Sequence, residues 1–295
     1  MRMTKEPKLP RKLHKYRKFN TSTLRLLSQA EMYYADPEVF NDPLDCRPVI
    51  RVDTDVPTLE KVCYRMLVLA RGKDKALASM NNHRYMSTEH GDFRKDEAAI
   101  YCYTQDLRRE IKGLLYQEMR KSGVLSLAAR WDCPLMWSHY ADEHRGLCIE
   151  YDVADHKCEH LFKVDYTTSG DIKVSELFEW KVRGSTAAGQ TVRNAFFYAK
   201  AGQWRYEREW RDVAKSSGAD DAPLTISAVY FGLRCDYAVL TTVVKLFSNS
   251  SAKIKFFEVY REDDSFGLKR RAVDVSEIEA CGLRTSRRWD FDLVD

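Results

Sequence analysis

The sequence predicts an α+β fold, a single compact domain whose central sheet, mixed or antiparallel, is flanked by helices. Two observations predict it. Stretches of period two and stretches of period near 3.6 are interleaved without the regular βαβ rhythm of a doubly wound sheet. Neither internal repeats nor low-complexity linkers divide the 295 residues, a length that can bury a substantial core.

The elements follow in order. Residues 1–12 form a basic lead that we expect to be flexible. Residues 13–19 (LHKYRKF) alternate apolar or aromatic with polar side chains, as a first strand does. Thr21, Ser22 and Thr23 offer an N-cap for a short helix through Leu24, Leu26 and Leu27. Residues 31–35 (EMYYA) read as a second strand, stopped by Asp36-Pro37, and residues 40–45 (FNDPLD) carry turn chemistry. Leu59, Val62, Cys63, Met66 and Leu67 lie at helical spacing and predict a helix over 57–72. Residues 73–93 are polar and irregular, which suggests a surface loop. Residues 95–121 form a long amphipathic helix closed by Gly123, so that 56–122 is a helical insertion in a core domain of residues 13–262. A strand through Ser126, a helical turn over 134–141 and a buried strand over 146–151 follow. Then come strand-like residues 161–166, a helix over 192–200, a strand over 225–232, a helix over 236–247 and a strand over 253–261. Residues 263–295 are a C-terminal extension.

Composition excludes several classes. Hydrophobic content of 44% against 31% charged residues describes an ordinary soluble protein. No apolar run approaches the ~18 residues of a membrane helix, so no membrane association is expected. The basic N-terminus has no apolar core after it and does not read as a secretory signal. The expected location is the cytoplasm, with the eight scattered cysteines, none in CxxC spacing, as reduced thiols. A net charge of +4 does not argue by itself for nucleic-acid binding, although cationic residues crowd positions 2–18, where Glu6 is the only acid. Nucleotide-binding glycine motifs and HExxH are absent. His139 and His144 lack a third ligand at sensible spacing, so no metal site is expected from them.

Residues 204–211 read WRYEREWR, the most informative stretch of the chain. As a strand, the period of two puts Arg205, Glu207, Glu209 and Arg211 on one face, two acids braced by two cations. As a helix, Arg205/Glu209 and Glu207/Arg211 become i,i+4 ion pairs on a solvated surface. Taken with residues 14–17 (HKYR) and the FNDP turn, the octet is better read as a strand closing a pocket. Arg17 is costly to bury without a carboxylate, so it binds an anion or pairs with Glu207 or Glu209. In the second case the constellation is a structural ion-pair network.

Five blocks carry a resemblance: HKYR at 14–17, YYADPEVFNDPLD at 33–45, SLAARWD at 126–132, MWSHYADEHRGLCIEYD at 136–152, and WRYEREWR. Their order and spacing resemble the bacterial family known as domain of unknown function 2971, from about His14 to the strand near Phe257. The family name supplies no activity. In motif order the layout is also loosely similar to ADP-ribosyltransferases, which split NAD with an Arg or His on a first strand, a Ser or Tyr on a second and a late Glu, often within ExE. That likeness implies an ADP-ribosyltransferase-like fold and NAD as substrate. It implies Glu209 as the catalytic carboxylate, Glu207 positioning the acceptor, and His14, Tyr16, Arg17, Tyr33, Tyr34, Asn41, Trp137 and Tyr140 around the nucleotide. A carboxylate stabilises the positive charge that builds on ribose as nicotinamide leaves, and an early cation holds the pyrophosphate. The acceptor is then a nucleic acid or a protein, as for a toxin or an anti-phage effector. The tyrosines also suit strand packing, and Trp137 also suits a core anchor with its indole N–H satisfied. Two other functions stay open: a non-catalytic nucleic-acid-binding or regulatory module using the basic N-terminus, and a metal-dependent nuclease using Asp42, Asp45, Glu207 and Glu209.

Overall fold

The computed structural model describes residues 8–280 apart from 93, 155, 159, 249, 251–252 and 263–266. The start of the basic lead and residues 281–295 of the C-terminal extension thus lie outside the described residues. The chain opens with β1 (Lys12–Arg17), α1 (Thr21–Gln29) and β2 (Glu31–Tyr34). After β3 (Ile50–Arg51) come the helices α2 (Val56–Arg71), α3 (Lys73–Ser87) and α4 (Glu97–Met119), then β4 (Gly123–Ala128). Next are α5 (Pro134–Tyr140), β5 (Leu147–Asp152), β6 (Phe162–Lys163), β7 (Ile172–Lys173), α6 (Val174–Lys181) and α7 (Thr186–Phe197). The chain continues through β8 (Glu209–Ala214), β9 (Gly218–Asp221), β10 (Thr225–Phe231), α8 (Tyr237–Leu246), β11 (Lys255–Arg261), β12 (Leu268–Ala272) and α9 (Val275–Ala280).

The fold is α+β. An eight-stranded sheet in the order β12-β11-β10-β5-β1-β4-β8-β6 organises it, and the parallel pairing of β10 with β11 in an otherwise antiparallel ladder makes the sheet mixed. Alternation along the strands sorts the core. Leu13, Leu147, Ile149, Val229 and Phe231 pack on one face with Leu26 and Leu27 of α1 and Val243 and Val244 of α8. Tyr16, Cys148, Ala228 and Tyr230 face the other way, against Trp137 and Met136 of α5. Val124 and Val213 extend that second face into a helical layer made by α2, α3, α4, α6 and α7.

The structure differs from the sequence reading at identifiable points. Residues 73–87 form a helix instead of a loop. Its apolar stripe is only Ala76 and Met80, and it is anchored by tertiary bonds, with the Arg84 guanidinium donating to Glu60 Oε1 on α2 at 3.0 and 3.1 Å. Gly123 does not cap α4, which ends at Met119 with Arg120 as its C-cap. It opens β4, where a Cβ would come within 2.5 Å of the Ser216 carbonyl oxygen and 2.6 Å of Tyr34 Cβ. The N-cap of α1 is Asn20, whose side chain accepts from the Thr23 N–H at 3.0 Å. Of the strand read over 161–166 only Phe162–Lys163 joins the main sheet, while Asp165 makes an isolated parallel bridge with Ala199, and no sequence signal marks α6.

β5 sits beside β1 because Gly146 lets it. A Cβ there would stand 2.3 Å from the Arg17 carbonyl oxygen and 2.9 Å from that of Ala141. Gly146→Ala must therefore push β1 away from β5, and we expect it to cost about 1–3 kcal/mol. A lowered urea midpoint checks this; an unchanged midpoint rules it out.

Candidate active site

β1 pairs with β5 along all six of its residues but with β4 only at His14 and Ala128. Beyond that bridge the two strands part. The Val124 backbone bonds instead with Ala35 in both directions at 2.9 Å, and the Lys15 ammonium donates to the Ser126 carbonyl at 2.8 Å, taking a place a ladder bond would have held. The gap is a cavity of about 480 Å³. Alternation puts His14 and Tyr16 on one face of β1 and Lys15 and Arg17 on the other, and because the sheet is open here both pairs line the same space. Tyr33, Phe40 and Asn41 contribute from the segment after α1, and His139 and Tyr140 from α5.

Five charged side chains, none more than 6% exposed, form the floor. The Lys200 ammonium lies 2.6 Å from Glu207, 3.2 Å from Glu209 and 3.2 Å from Asp45. The Arg211 guanidinium grips Asp45 at 2.5 and 2.9 Å and Glu209 at 2.8 and 3.0 Å, and it donates to the Phe197 carbonyl at 2.7 Å. Local folding explains the convergence. The octet is neither a strand nor a helix throughout: a 3₁₀ turn covers Gly202–Glu207, Arg208 takes a left-handed conformation at φ 46°, and β8 begins at Glu209. Glu207 thus reaches Lys200 from the turn and Glu209 from the sheet. Arg211, two residues on, shares the face of Glu209, whereas Trp210 packs in the opposite core. Arg205 is exposed and takes no part in the cluster.

Two cations among three carboxylates leave one negative charge in excess, and the acids divide it unequally. Burial, followed by the charge of Glu209, raises the pKa of Glu207 above the ordinary 4.5. Burial also acts upward on Glu209, but the charges of Arg211 and Lys200 outweigh it and hold Glu209 down to about 2. The hydrogen bonds differ in kind too. Both Glu209 oxygens receive charged donors, while Glu207 Oε1 accepts from the Tyr140 hydroxyl at 2.7 Å, which in turn accepts from the Asn41 amide at 3.0 Å. A neutral donor is the easier one for an incoming hydroxyl to replace. Environments that push two carboxylates apart are the pattern of acid/base sites.

The walls carry the basic side chains Arg17, Lys15 and His14. Arg17 Nε is buried without a hydrogen-bond partner, and burial lowers the pKa of the group. Burial, helped by the charge of Arg17, pushes the half-buried Lys15 amine down to about 7. His14 Nε2 lies 3.5 Å from Glu150, and Glu150 is held down to about 2 because bonds from His14, Tyr230 and Ser227 outweigh its burial.

Most of the residues singled out from sequence come together: His14, Tyr16, Arg17, Tyr33, Asn41, Tyr140, Glu207 and Glu209 all line the cavity. Tyr34 and Trp137 do not. Tyr34 is turned into the core, its hydroxyl donating to Asp212 at 2.8 Å, because neighbours on a strand point to opposite faces. Trp137 is fully buried, with its indole N–H donating to the Trp131 carbonyl at 2.7 Å and the ring edge-on to Tyr16. The acids considered as a metal set are divided as well. Asp42 caps the Leu44 N–H, and the other three surround the Lys200 ammonium, which stands where a cation would. Among the described residues no group of three or more His, Cys, Asp or Glu is arranged to hold a metal ion, the seven cysteines are free, and no helix is long and apolar enough to cross a membrane. Sequence reading missed Lys15 and Lys200. Lys15 lay inside a quoted motif without a distinguishing feature, and Lys200 falls four residues before the octet with no pattern around it.

No curated protein and no solved structure matches the chain. A family model does match, from Met136 at the third residue of α5 to Arg211 in β8, a segment that holds Tyr140, Lys200 and both glutamates and leaves β1 and Asp45 outside. Over residues 136–211 the chain matches the family described as Protein of unknown function (DUF2971).

Proposed function

We propose that the cavity binds a phosphate-bearing nucleotide of the NAD kind and cleaves its nicotinamide–ribose bond, passing ADP-ribose to an acceptor on nucleic acid or protein. The observation that supports this best is the pairing of an ionised Glu209 with a Glu207 of raised pKa, beneath a wall that presents the unpaired Arg17. Arg17 and the exposed Lys18, which lines the cavity next to it, take the pyrophosphate. Tyr33, an exposed residue of the cavity rim, stacks on nicotinamide, and Asn41 and Tyr140 meet the ribose hydroxyls. As nicotinamide departs with the bonding electron pair, positive charge develops on the ribose and the fixed negative floor stabilises it. Glu207 exchanges its Tyr140 bond for a substrate hydroxyl and accepts the proton that the attacking acceptor loses. This gives the reacting role to Glu207 and leaves Glu209, held by charged donors on both oxygens, to fix the electrostatics.

The test is nicotinamide release from NAD by the purified chain. Glu207→Gln should lower turnover about 10²-fold or more while the unfolding midpoint stays near wild type. A folded Glu207→Gln chain with full turnover would falsify the role of Glu207. Wild-type protein that neither binds nor turns over NAD removes the substrate assignment.

A further inference from the structure

We propose that Lys15 is a carbonyl-capturing amine, forming an imine with an aldehyde or ketone that also carries a phosphate, which Arg17 and Lys18 hold. The geometry begins with what Lys15 lacks. It is the half-buried lysine of the cavity wall, and it makes no ion pair among the described residues. Its amine meets the Ser126 carbonyl, a neutral acceptor, at 2.8 Å. The acid that acts on it, Glu209, is already engaged on both oxygens by Arg211 and Lys200. Two residues along the same face stands Arg17, with Nε unsatisfied. An amine kept from carboxylates and set beside a guanidinium has a large neutral fraction near neutrality, which is what nucleophilic addition needs. The guanidinium that disfavours the ammonium is also the group that holds an anion. Lys200, by contrast, faces three carboxylates, and its pKa is raised, which keeps it a cation.

The step balances without a redox partner. The Lys15 lone pair adds to the carbonyl carbon, and the carbonyl oxygen takes up a proton to give a carbinolamine. The nitrogen gives up its two protons in turn, the first balancing the one taken up by the oxygen and the second balancing the one that protonates the hydroxyl, which departs as water as the C=N bond forms. Glu207 lies in the same cavity, and its raised pKa suits it to hold the proton in transit. NAD cleavage is no part of this inference, and a chain without NAD turnover still carries the amine.

The experiment uses pyridoxal 5′-phosphate, an aldehyde bearing a phosphate, with borohydride added to reduce the imine to a stable secondary amine before peptide mapping. On wild-type protein at neutral pH we expect Lys15 to be labelled about tenfold faster, or more, than the exposed Lys112 and Lys163. Arg17→Met should slow labelling by pyridoxal phosphate about tenfold more than labelling by phosphate-free pyridoxal, which loses only the help that Arg17 gives the neutral amine. Lys15→Arg keeps the charge and should abolish the adduct at that position. Label spread evenly over surface lysines, or absent from Lys15, overturns the proposal, and this wild-type map decides even if a variant fails to fold. Equal loss with both aldehydes in Arg17→Met removes the phosphate-holding role of Arg17.

Discussion

Arg211→Leu should unfold at a much lower urea concentration than wild type, with a loss of about 3–5 kcal/mol. The side chain is fully buried and makes charged bonds to Asp45 and Glu209. Leucine fills part of the volume but leaves two buried carboxylates without their fork, and Lys200 alone cannot satisfy both. Arg211→Lys should fall between, because an ammonium supplies the charge without the planar geometry that spans two carboxylates. A midpoint for Arg211→Leu within ~1 kcal/mol of wild type would show that the cluster contributes little to cohesion.

Lys200→Met should be destabilised by a similar amount at neutral pH, and mild acid should restore more stability to it than it adds to the wild type. In the wild type Glu209 is depressed to about 2, so its contribution is present above the ordinary value of 4.5 and is lost as the pH falls toward 2. Glu207 is raised, so its cost is felt at neutrality and relieved as the pH falls through its folded value toward 4.5. Without Lys200 the three carboxylates face one another with Arg211 as the remaining cation of the cluster, and protonation becomes more strongly stabilising. The variant should gain more stability than the wild type between pH 7 and pH 5, read from urea midpoints at the two values. A variant that instead weakens with acid would mean that the carboxylates had found water or other donors.

Much of the scaffold was legible because burial imposes a period. Leu59, Val62, Cys63, Met66 and Leu67 announced α2, alternation announced β1, and the strands read over 225–232 and 253–261 are β10 and β11. α3 was not legible because two buried apolar residues make no stripe, and it is anchored by bonds to Glu60 on α2 that no local pattern records. The site was legible as a set of blocks and illegible as geometry. The period of two shows that one of Tyr33 and Tyr34 faces away, and nothing local says which. The octet's spacing fits a continuous strand, yet the left-handed Arg208 breaks it, because a 3₁₀ turn must deliver Glu207 to a lysine outside the motif. Lys200 was invisible for the same reason: its partners are chosen by the fold.

The single bridge at His14 and Ala128 has a consequence for how any variant here must be measured. The two halves of the sheet hold their register at that bridge and, beyond it, through the side chains of the cavity. A molecule lodged between them therefore adds to the cohesion of the sheet, and its affinity appears as added melting temperature. Recognition and folding draw on the same residues. A lost activity in this cavity identifies a chemical role only when the thermal transition of the same variant, empty and loaded, has been measured alongside it.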